Sequence, residues 1–225
     1  MNKICATITA KTSDEMIACL HDLEKDHDFF ELRFDTLKNI TPEAIKIVVQ
    51  AKTTSVIATV RTQVEGGNFA GSADEYFQLA RACYASRAEY VDVELSALNK
   101  DSALKDIIEP ERTIISYHNF EQTPSDKELQ QILVQMNNAS TEAIHKIACN
   151  AETMQDVVRL TDLQKAQPKG KSIIIAMGER GQILRLLGLS LGAFTSFASA
   201  DNSPAAPGQM YYRDMKKVTS LMESK

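Results

Sequence analysis

Cysteine is scarce in this chain, and no two cysteines stand in a Cys-x-x-Cys pair. The 225 residues include four, Cys5, Cys19, Cys83 and Cys149, which are scattered along the sequence. This spacing argues against a disulfide framework and predicts reduced, packed thiols in a cytoplasmic protein. The four histidines form no cluster with them either, so we expect neither a structural zinc site nor any other metal.

Long apolar segments and basic runs are absent as well. No stretch approaches the ~20 apolar residues that a membrane-spanning helix requires. The first residues, MNKICATITAK, read as a strand and not as a signal peptide. The formal net charge is −5, and no run rich in lysine and arginine appears. We therefore expect no nucleic-acid partner and no binding to an anionic membrane surface.

Low-complexity tracts and interdomain linkers are also missing. The composition is that of an ordinary globular protein, with 44% hydrophobic and 24% charged residues. The longest irregular stretch is about Ser199–Pro207. We therefore predict a single catalytic domain over residues 1–225, a length sufficient to bury a sizeable core.

The chain does contain a repeated alternation of short β-branched runs with longer amphipathic runs. The eight predicted strands are Lys3–Thr9, Phe29–Asp35, Ser55–Arg61, Tyr90–Leu95, Thr113–His118, Ala143–Cys149, Ser172–Met177 and Phe194–Ser199. The predicted helices lie near residues 12–25, 41–51, 72–87, 98–106, 125–137, 151–166, 180–188 and 208–223. Thr41 before Pro42, and Ser72 and Ser125 before acidic turns, are typical helix starts.

Eight strands alternating with eight helices predict an α/β protein built as a single (β/α)8 TIM barrel. The alternative is a doubly wound open sheet. Such a sheet would normally have a glycine-rich turn after its first strand, and Thr9-Ala10-Lys11 is not one.

Polar residues recur at alternate positions on the predicted strands. Side chains of one parity point into a barrel, and catalytic groups gather at the C-terminal strand ends. This rule predicts a barrel mouth that holds Glu31, Arg33, Arg61, Asp92, Glu94, His118 and Lys146. The alternative turns these polar faces toward the helices. It would bury charges between sheet and helices, at a cost of several kcal/mol for each unpaired charge.

Lys146 is flanked by apolar residues in the middle of a predicted strand. It could be a buried salt-bridge partner, but nearby arginines would also favour a neutral, nucleophilic amine. His118 is either a proton-transfer group or a satisfied core histidine. Asp92 and Glu94 are expected to hold arginine and lysine side chains and not to react themselves.

The other histidines have simpler interpretations. His145 has the opposite parity to Lys146, so we expect it to face the helix layer. His21 and His27 lie in or just after the first predicted helix and are expected to be solvated.

Seven segments in order resemble the type I 3-dehydroquinate dehydratases, the Schiff-base enzymes of the shikimate pathway. They are FELRFD at Phe30–Asp35, TVRTQVEGG at Thr59–Gly67, YVDVEL at Tyr90–Leu95, IISYHNFEQTP at Ile114–Pro124, IHKIAC at Ile144–Cys149, IIAMGERGQILR at Ile174–Arg185 and APGQ at Ala206–Gln209. Each is weak alone, but together they span nearly the whole chain.

The resemblance implies dehydration of 3-dehydroquinate to 3-dehydroshikimate without a metal or cofactor. Lys146 matches the imine-forming lysine, His118 the general acid/base, and Glu65 the acidic partner of that histidine. The positions that match substrate-binding residues are Thr7, Glu31, Arg33, Arg61, Met177, Arg185 and Gln209. The only implied partner is the small-molecule substrate, apart from a second copy of the chain in a homodimer.

Two departures from the family pattern stand out. Ala205 lies where relatives commonly have serine or threonine, so one hydroxyl contact to substrate is missing unless Ser203 supplies it. The sequence begins at the first strand, whereas some members carry an N-terminal hairpin that closes the barrel floor. We therefore expect side chains to plug the floor unaided.

Two other functions remain open from the sequence. A class I aldolase or transaldolase also uses a barrel lysine, and it usually binds a sugar phosphate at loops after the last two strands. The loops GERGQ and SADNSPAAPGQ offer some backbone donors for such a group. The second alternative is a non-catalytic barrel that binds a carboxylate metabolite. Lys146, His118 and Glu65, all present, argue against it.

Overall fold

A computed structural model describes residues 3–27, 29–200 and 204–223. Its strands are β1 (Lys3–Ile8), β2 (Phe29–Arg33), β3 (Ser55–Thr59), β4 (Tyr90–Glu94), β5 (Thr113–Asn119), β6 (Ile144–Asn150), β7 (Ser172–Met177) and β8 (Thr195–Ser199). All eight predicted strands are present, with ends that differ by at most two residues from the prediction.

The strands pair in parallel in the order β7-β6-β5-β4-β3-β2-β1-β8. At the remaining seam, the backbone N–H of Phe194, just before β8, donates to the carbonyl oxygen of Ser172 in β7 at 2.8 Å. The sheet is thus a nearly closed barrel. The predicted TIM barrel is confirmed, and the doubly wound alternative is wrong.

The helices are α1 (Ser13–Leu23), α2 (Pro42–Gln50), α3 (Ala73–Ala85), α4 (Leu95–Lys100), α5 (Ser102–Ile107), α6 (Asp126–Ala139), α7 (Met154–Ala166), α8 (Gln182–Leu187) and α9 (Tyr212–Glu223). The single helix predicted near residues 98–106 is wrong, because α4 ends at Lys100 and Asp101 is extended. The Asp101 carboxylate accepts from the N–H of Ala103 and caps α5 instead.

Alternate residues of the strands fill two separate apolar cores. On β2, Phe30 and Leu32 belong to the core between sheet and helices. The second core has the parity of Lys146 and contains Cys5, Phe29, Ile57, Ile114, Ile144, Ala148, Ile173, Ile175, Met177 and Phe197. The predicted inward parity is therefore confirmed. Turning the polar faces toward the helices would displace the apolar side chains that pack there, so that alternative is wrong.

Three aromatic side chains close the barrel floor. Phe29, Tyr90 and Phe194 lie at the N-terminal ends of three strands and pack edge to face. Their ring centroids are 4.9 Å apart for Tyr90 and Phe194, and 6.0 Å apart for each pair that includes Phe29. In the described residues the floor is thus plugged by side chains, and the chemistry is left to the opposite end.

The prediction for His27 is wrong, because this residue is buried with 4% of its surface exposed. Its Nδ1 lies 2.8 Å from the carbonyl oxygen of Leu23, and its ring centroid is 3.7 Å from that of Tyr212 in α9. The C-terminal helix therefore covers the turn after α1, which no local pattern indicated. His21 is exposed as predicted. His145 is buried, with Nε2 at 2.8 Å from the carbonyl oxygen of Ser140.

Three of the thiols, Cys5, Cys83 and Cys149, are buried, whereas Cys19 on α1 is exposed. The prediction of packed thiols is therefore wrong for Cys19, which lies on the solvent side of an amphipathic helix. Among the described residues, no helix combines the length and the apolar character that a bilayer crossing requires.

Candidate active site

A cavity opens at the C-terminal ends of the strands. It encloses about 490 Å³ of empty space, counting its open mouth. The residues matched to catalytic and substrate-binding positions all line it, namely Thr7, Glu31, Arg33, Arg61, Glu65, His118, Lys146, Met177, Arg185 and Gln209. Asp92 and Glu94, which were also predicted at the barrel mouth, are buried and are not among its lining residues. Residues from distant parts of the sequence are thus brought into one cavity by the barrel topology.

Lys146 lies on β6 and is buried. Its Nζ donates to Oδ2 of Asp92 at 3.0 Å, lies 3.7 Å from Oε1 of Glu31, and stands 4.3 Å from the ring centroid of Phe197. The lysine is thus ion-paired, as the salt-bridge interpretation predicts. It also lines the cavity, as a nucleophile must.

Asp92 joins Lys146 to the arginine beneath it. Its Oδ1 accepts from Nη2 of Arg61 at 2.8 Å and from Oγ of Ser116 at 2.6 Å. Burial alone would raise the pKa of Asp92, but the charges of Arg61 and Lys146 hold it below its ordinary value. Asp92 therefore stays ionised and fixes both cations, the part predicted for it.

Arg61 has more partners in the protein than the sequence indicated. Its Nη1 donates to Glu94 Oε1 at 3.0 Å and to Ser116 Oγ at 2.9 Å. The pKa of Arg61 is raised well above its ordinary value despite burial, because Asp92, Glu94 and Glu65 surround it. The guanidinium thus acts as the central cation of a carboxylate cluster, which leaves few of its donors for a ligand.

Glu65 and His118 form a hydrogen-bonded pair. Oε2 of Glu65 accepts from the backbone N–H of His118 at 3.1 Å and lies 2.9 Å from its Nδ1. Burial raises the pKa of Glu65 to about 7, although Arg61 acts in the opposite direction. Burial, with the charges of Arg61 and Lys146, lowers the pKa of His118 well below its ordinary value. The imidazole is therefore neutral near pH 7 and suited to accept a proton.

The loop that carries Glu65 depends on its two glycines. A single helical turn at Gln63–Glu65 ends at Gly66, which has a φ of 79° in the left-handed region. A Cβ on Gly67 would lie 2.1 Å from the carbonyl oxygen of Arg61. The V-E-G-G sequence is thus the one that lets this turn approach β3 and aim Glu65 into the cavity.

Arg185 lies on α8 and is buried, but its contacts differ from those of Arg61. Its Nη1 and Nη2 donate to the carbonyl oxygens of Phe197 and Pro207, each at 3.3 Å. Within the described ranges its Nε has no hydrogen-bond partner, and no acidic side chain pairs with it. Burial accordingly lowers the pKa of Arg185 to about 10. A buried guanidinium with donors left over is a site for an anion.

A chain of side chains crosses the mouth from the last loop to β2. Nε2 of Gln209 donates to Oγ1 of Thr7 at 3.0 Å, and this hydroxyl donates to Oε2 of Glu31 at 3.0 Å. Oε1 of Glu31 accepts from Thr59, also at 3.0 Å. These contacts orient Glu31 between Lys146 and the mouth of the cavity.

Several residues of the site were not singled out from the sequence. Asp35 holds Arg33 through two hydrogen bonds of 2.8 Å each. Ser96 donates to Glu65, and Phe120 and Phe197 join Met177 among the residues that line the cavity. Phe197 has the inward parity of β8 and could have been found by that rule. Ser96 and Phe120 lie beyond strand ends, where parity gives no signal.

Comparison with known proteins identifies the family. The sequence profile described as Type I 3-dehydroquinase matches residues 4–225. A 3-dehydroquinate dehydratase of Methanocaldococcus jannaschii is 32% identical over 225 residues, which cover 99% of this chain and 100% of the relative. One of Coxiella burnetii is 31% identical over 215 residues, which cover 95% of this chain and 91% of the relative.

A solved structure agrees with the sequence matches. The crystal structure of type I 3-dehydroquinate dehydratase from Clostridium difficile with covalent modified comenic acid superposes with a TM-score of 0.83. The two chains are 26% identical, and the match covers 98% of this chain and 92% of the other. The resemblance seen in the sequence motifs is confirmed: this chain belongs to the type I 3-dehydroquinase family.

Proposed function

We propose that the chain is a hydro-lyase that converts 3-dehydroquinate to 3-dehydroshikimate and water through an imine on Lys146. The observation that carries the proposal is one cavity lined by a buried lysine, a histidine–carboxylate pair and a buried arginine without an acidic partner in the described chain. Each of these groups matches one requirement of the substrate, which has a ketone, an acidic C–H bond and a carboxylate.

The first step forms a C–N bond. Lys146 gives up a proton, its amine attacks the ketone carbon, and loss of the former carbonyl oxygen as water gives an iminium ion. Asp92, 3.0 Å from Nζ, is the group next to the amine that stabilises this cation. The relative from Clostridium difficile, whose structure contains covalent modified comenic acid, supports a covalent site in this family.

The second step breaks a C–H bond and then a C–O bond. His118 removes the proton beside the iminium carbon, and the electron pair moves into the C–N system to give an enamine. The protonated imidazole then donates to the departing hydroxyl, which leaves as water while the C=N bond re-forms. Hydrolysis by another water releases the conjugated ketone and Lys146. Glu65 steadies the imidazolium through Nδ1.

Arg185 binds the substrate carboxylate in this proposal. Arg185 is 3% exposed, and among the described residues its guanidinium has only long contacts to backbone oxygens, so a carboxylate would supply the missing charge and hydrogen bonds. This contact would fix one end of the ring with its reacting carbons beside Lys146 and His118.

The polar residues at the mouth of the cavity bind the ring hydroxyls of the substrate in this proposal. Glu31, Thr7 and Gln209 form the hydrogen-bonded chain that can exchange partners with hydroxyl groups, and Arg33 stands at its edge. Arg61 was predicted to share this work. Its contacts with Asp92 and Glu94 favour a role that sets the charge of the site. Met177 gives an apolar wall for the ring.

The two alternative functions are less well supported. Relatives of this chain that match over nearly its whole length are named 3-dehydroquinate dehydratases and not aldolases. A non-catalytic carboxylate-binding barrel would need Arg185 but would have no use for the Glu65–His118 pair beside a buried lysine.

We propose further that residues 1–225 form one catalytic domain and act as a homodimer in the cytoplasm. The buried thiols of Cys5, Cys83 and Cys149 suit a reducing compartment. Exposed apolar side chains on the neighbouring helices α6 and α7, Val134 at 56% and Val158 at 47%, are candidates for a subunit contact. Sedimentation analysis of the purified chain distinguishes a dimer from a monomer.

Borohydride reduction tests the covalent mechanism. In the presence of 3-dehydroquinate it should attach one ligand to the protein, and peptide mapping should locate the ligand on Lys146. Lys146→Ala should remain folded, form no adduct and lose several orders of magnitude in turnover. Lys171→Ala is a matched control, since this lysine is exposed, its side chain donates to the carbonyl oxygen of Glu142, and it does not line the cavity. An adduct elsewhere, or none with an active enzyme, would refute the imine.

A further inference from the structure

Ser96 contacts the active site from outside the cavity. It is the second residue of α4, which begins directly after β4, and it is half-buried. Its Oγ donates to Oε1 of Glu65 at 2.7 Å. Neither the inward parity of the strands nor the sequence motifs identify this residue as part of the site.

The two oxygens of the Glu65 carboxylate face different partners. Oε2 accepts from the backbone N–H of His118, and it lies 2.9 Å from Nδ1 of His118 and 3.6 Å from Nη1 of Arg61. Oε1 accepts from Ser96. A carboxylate held at both oxygens cannot rotate about its last bond without breaking a contact. The Ser96 hydroxyl therefore keeps the other oxygen turned toward the imidazole.

The charges around Glu65 make this contact matter for its protonation. Arg61 favours the ionised form, whereas Glu94 and Asp92 oppose it. The Ser96 hydrogen bond favours the ionised form and so lowers the pKa of Glu65 against the effect of burial. Without the hydroxyl, Glu65 would become protonated at a higher pH.

From this geometry we infer that Ser96 is a positioning residue for proton transfer, which holds the Glu65 carboxylate in the orientation that lets His118 act as a base. The inference rests on the proposed function, in which His118 moves the substrate proton. Ser96 itself does not line the cavity that contains Lys146.

The far side of Ser96 borders a second cavity. This space, about 850 Å³ counting its open side, also touches Thr62, Phe69, Tyr76 and Leu104. A threonine at position 96 can therefore keep the hydroxyl on Glu65 and direct its added methyl group into free space. This makes Ser96→Thr the conservative variant.

The test compares Ser96→Ala, Ser96→Thr and Asn99→Ala by steady-state kinetics over a range of pH. In Ser96→Ala, kcat should fall about tenfold while KM changes by less than about twofold, because the contact acts on proton transfer and not on binding. The acid limb of the kcat profile should move up by about half a pH unit or more. Ser96→Thr should restore both. Asn99→Ala removes another side-chain contact of α4, to Gln135, and should leave both unchanged.

A second readout does not depend on turnover. NMR titration of the His118 imidazole should show that the Glu65–His118 pair takes up its proton at a higher pH in Ser96→Ala than in the wild type. If the wild type does not dehydrate 3-dehydroquinate, the proposed function fails, and the titration still tests Ser96. An unchanged titration and pH profile in Ser96→Ala would overturn the inference. So would equal losses in Ser96→Thr or Asn99→Ala.

Discussion

Oε2 of Glu65 makes two contacts with His118: it lies 2.9 Å from Nδ1 and accepts from the backbone N–H at 3.1 Å. When Glu65 is ionised, it can only accept, so the neutral imidazole carries its proton on Nδ1 and leaves the lone pair on Nε2. The backbone contact ties the loop after β3 to the end of β5. The direction in which the base points is thus set by a carboxylate from the loop after another strand.

Removing the base should separate imine formation from dehydration. His118→Ala should still form an adduct that borohydride traps on Lys146, though more slowly, because the lysine and the carboxylate site remain. Dehydration should nearly stop, since no group replaces the proton transfer. Mass spectrometry after reduction and a steady-state assay of the conjugated product measure the two steps. Near-normal turnover would assign the proton transfer to another group.

The Glu65–His118 pair predicts the acid side of the pH profile. Burial raises the pKa of Glu65 to about 7 and lowers that of His118, so the active form has Glu65 ionised and the imidazole neutral. As the pH falls through about 7, the pair takes up a proton and kcat/KM should decrease. In Glu65→Gln the imidazole loses its anionic partner, so its pKa falls and the acid limb should move to lower pH at a reduced plateau. A limb that does not move would show that the pair does not control it.

The barrel was predictable because each strand carries a local signal that the closed sheet also requires. The period-2 alternation of β2 and β6 fixed which faces point inward, and packing of the apolar faces against helices leaves no other register. The break between α4 and α5 was not predicted, because it depends on a single local hydrogen bond. The Asp101 carboxylate accepts from the N–H of Ala103 and caps α5. Burial of His27 by Tyr212 depends on a helix that lies far away in sequence.

The members of the site were more predictable than their pairings. Inward parity predicted that Lys146, Asp92 and Arg61 lie at one end of the barrel. It does not predict which of their atoms are in contact. Whether Arg61 serves a substrate or Asp92 and Glu94 depends on distances within a buried cluster. Sequence patterns do not encode such distances. Ser96, on a helix after a strand, follows no periodic rule at all.

The isolated charge of Arg185 predicts a defect in binding. Arg185→Ala should raise KM for 3-dehydroquinate about tenfold to hundredfold, because a charge-assisted hydrogen bond contributes roughly 1.5–3 kcal/mol. The effect on kcat should be smaller if the carboxylate is held equally in the ground and transition states. Arg180→Ala, which removes an exposed arginine in the turn just before α8, is the matched control and should leave KM unchanged. A fall in kcat with constant KM would contradict the carboxylate role.

Ala205 lines the cavity, and its backbone N–H donates to Oε1 of Gln209 at 2.7 Å. The last loop is thus anchored to the side chains of Gln209, Thr7 and Glu31, which are joined by hydrogen bonds. Ala205→Ser would add a hydroxyl beside this anchor. One new hydrogen bond to substrate contributes about 0.5–1.5 kcal/mol net, so KM should decrease by a factor of about two to ten. Turnover should change little, because such a contact acts equally before and during reaction.

The competing explanation is that Ser203, which lies outside the described residues, already supplies this donor. Ala205→Ser would then be neutral, and Ser203→Ala would raise KM instead. Measuring KM for both variants and the wild type decides between the two explanations. If the hydroxyl is missing, only Ala205→Ser changes KM; if Ser203 supplies it, only Ser203→Ala does. Because Gln209 holds the Ala205 backbone and not its side chain, Ala205→Ser should not loosen the loop. If KM is constant in both, this loop does not contact the substrate carboxylate, and Arg185 must bind it without a neighbouring hydroxyl.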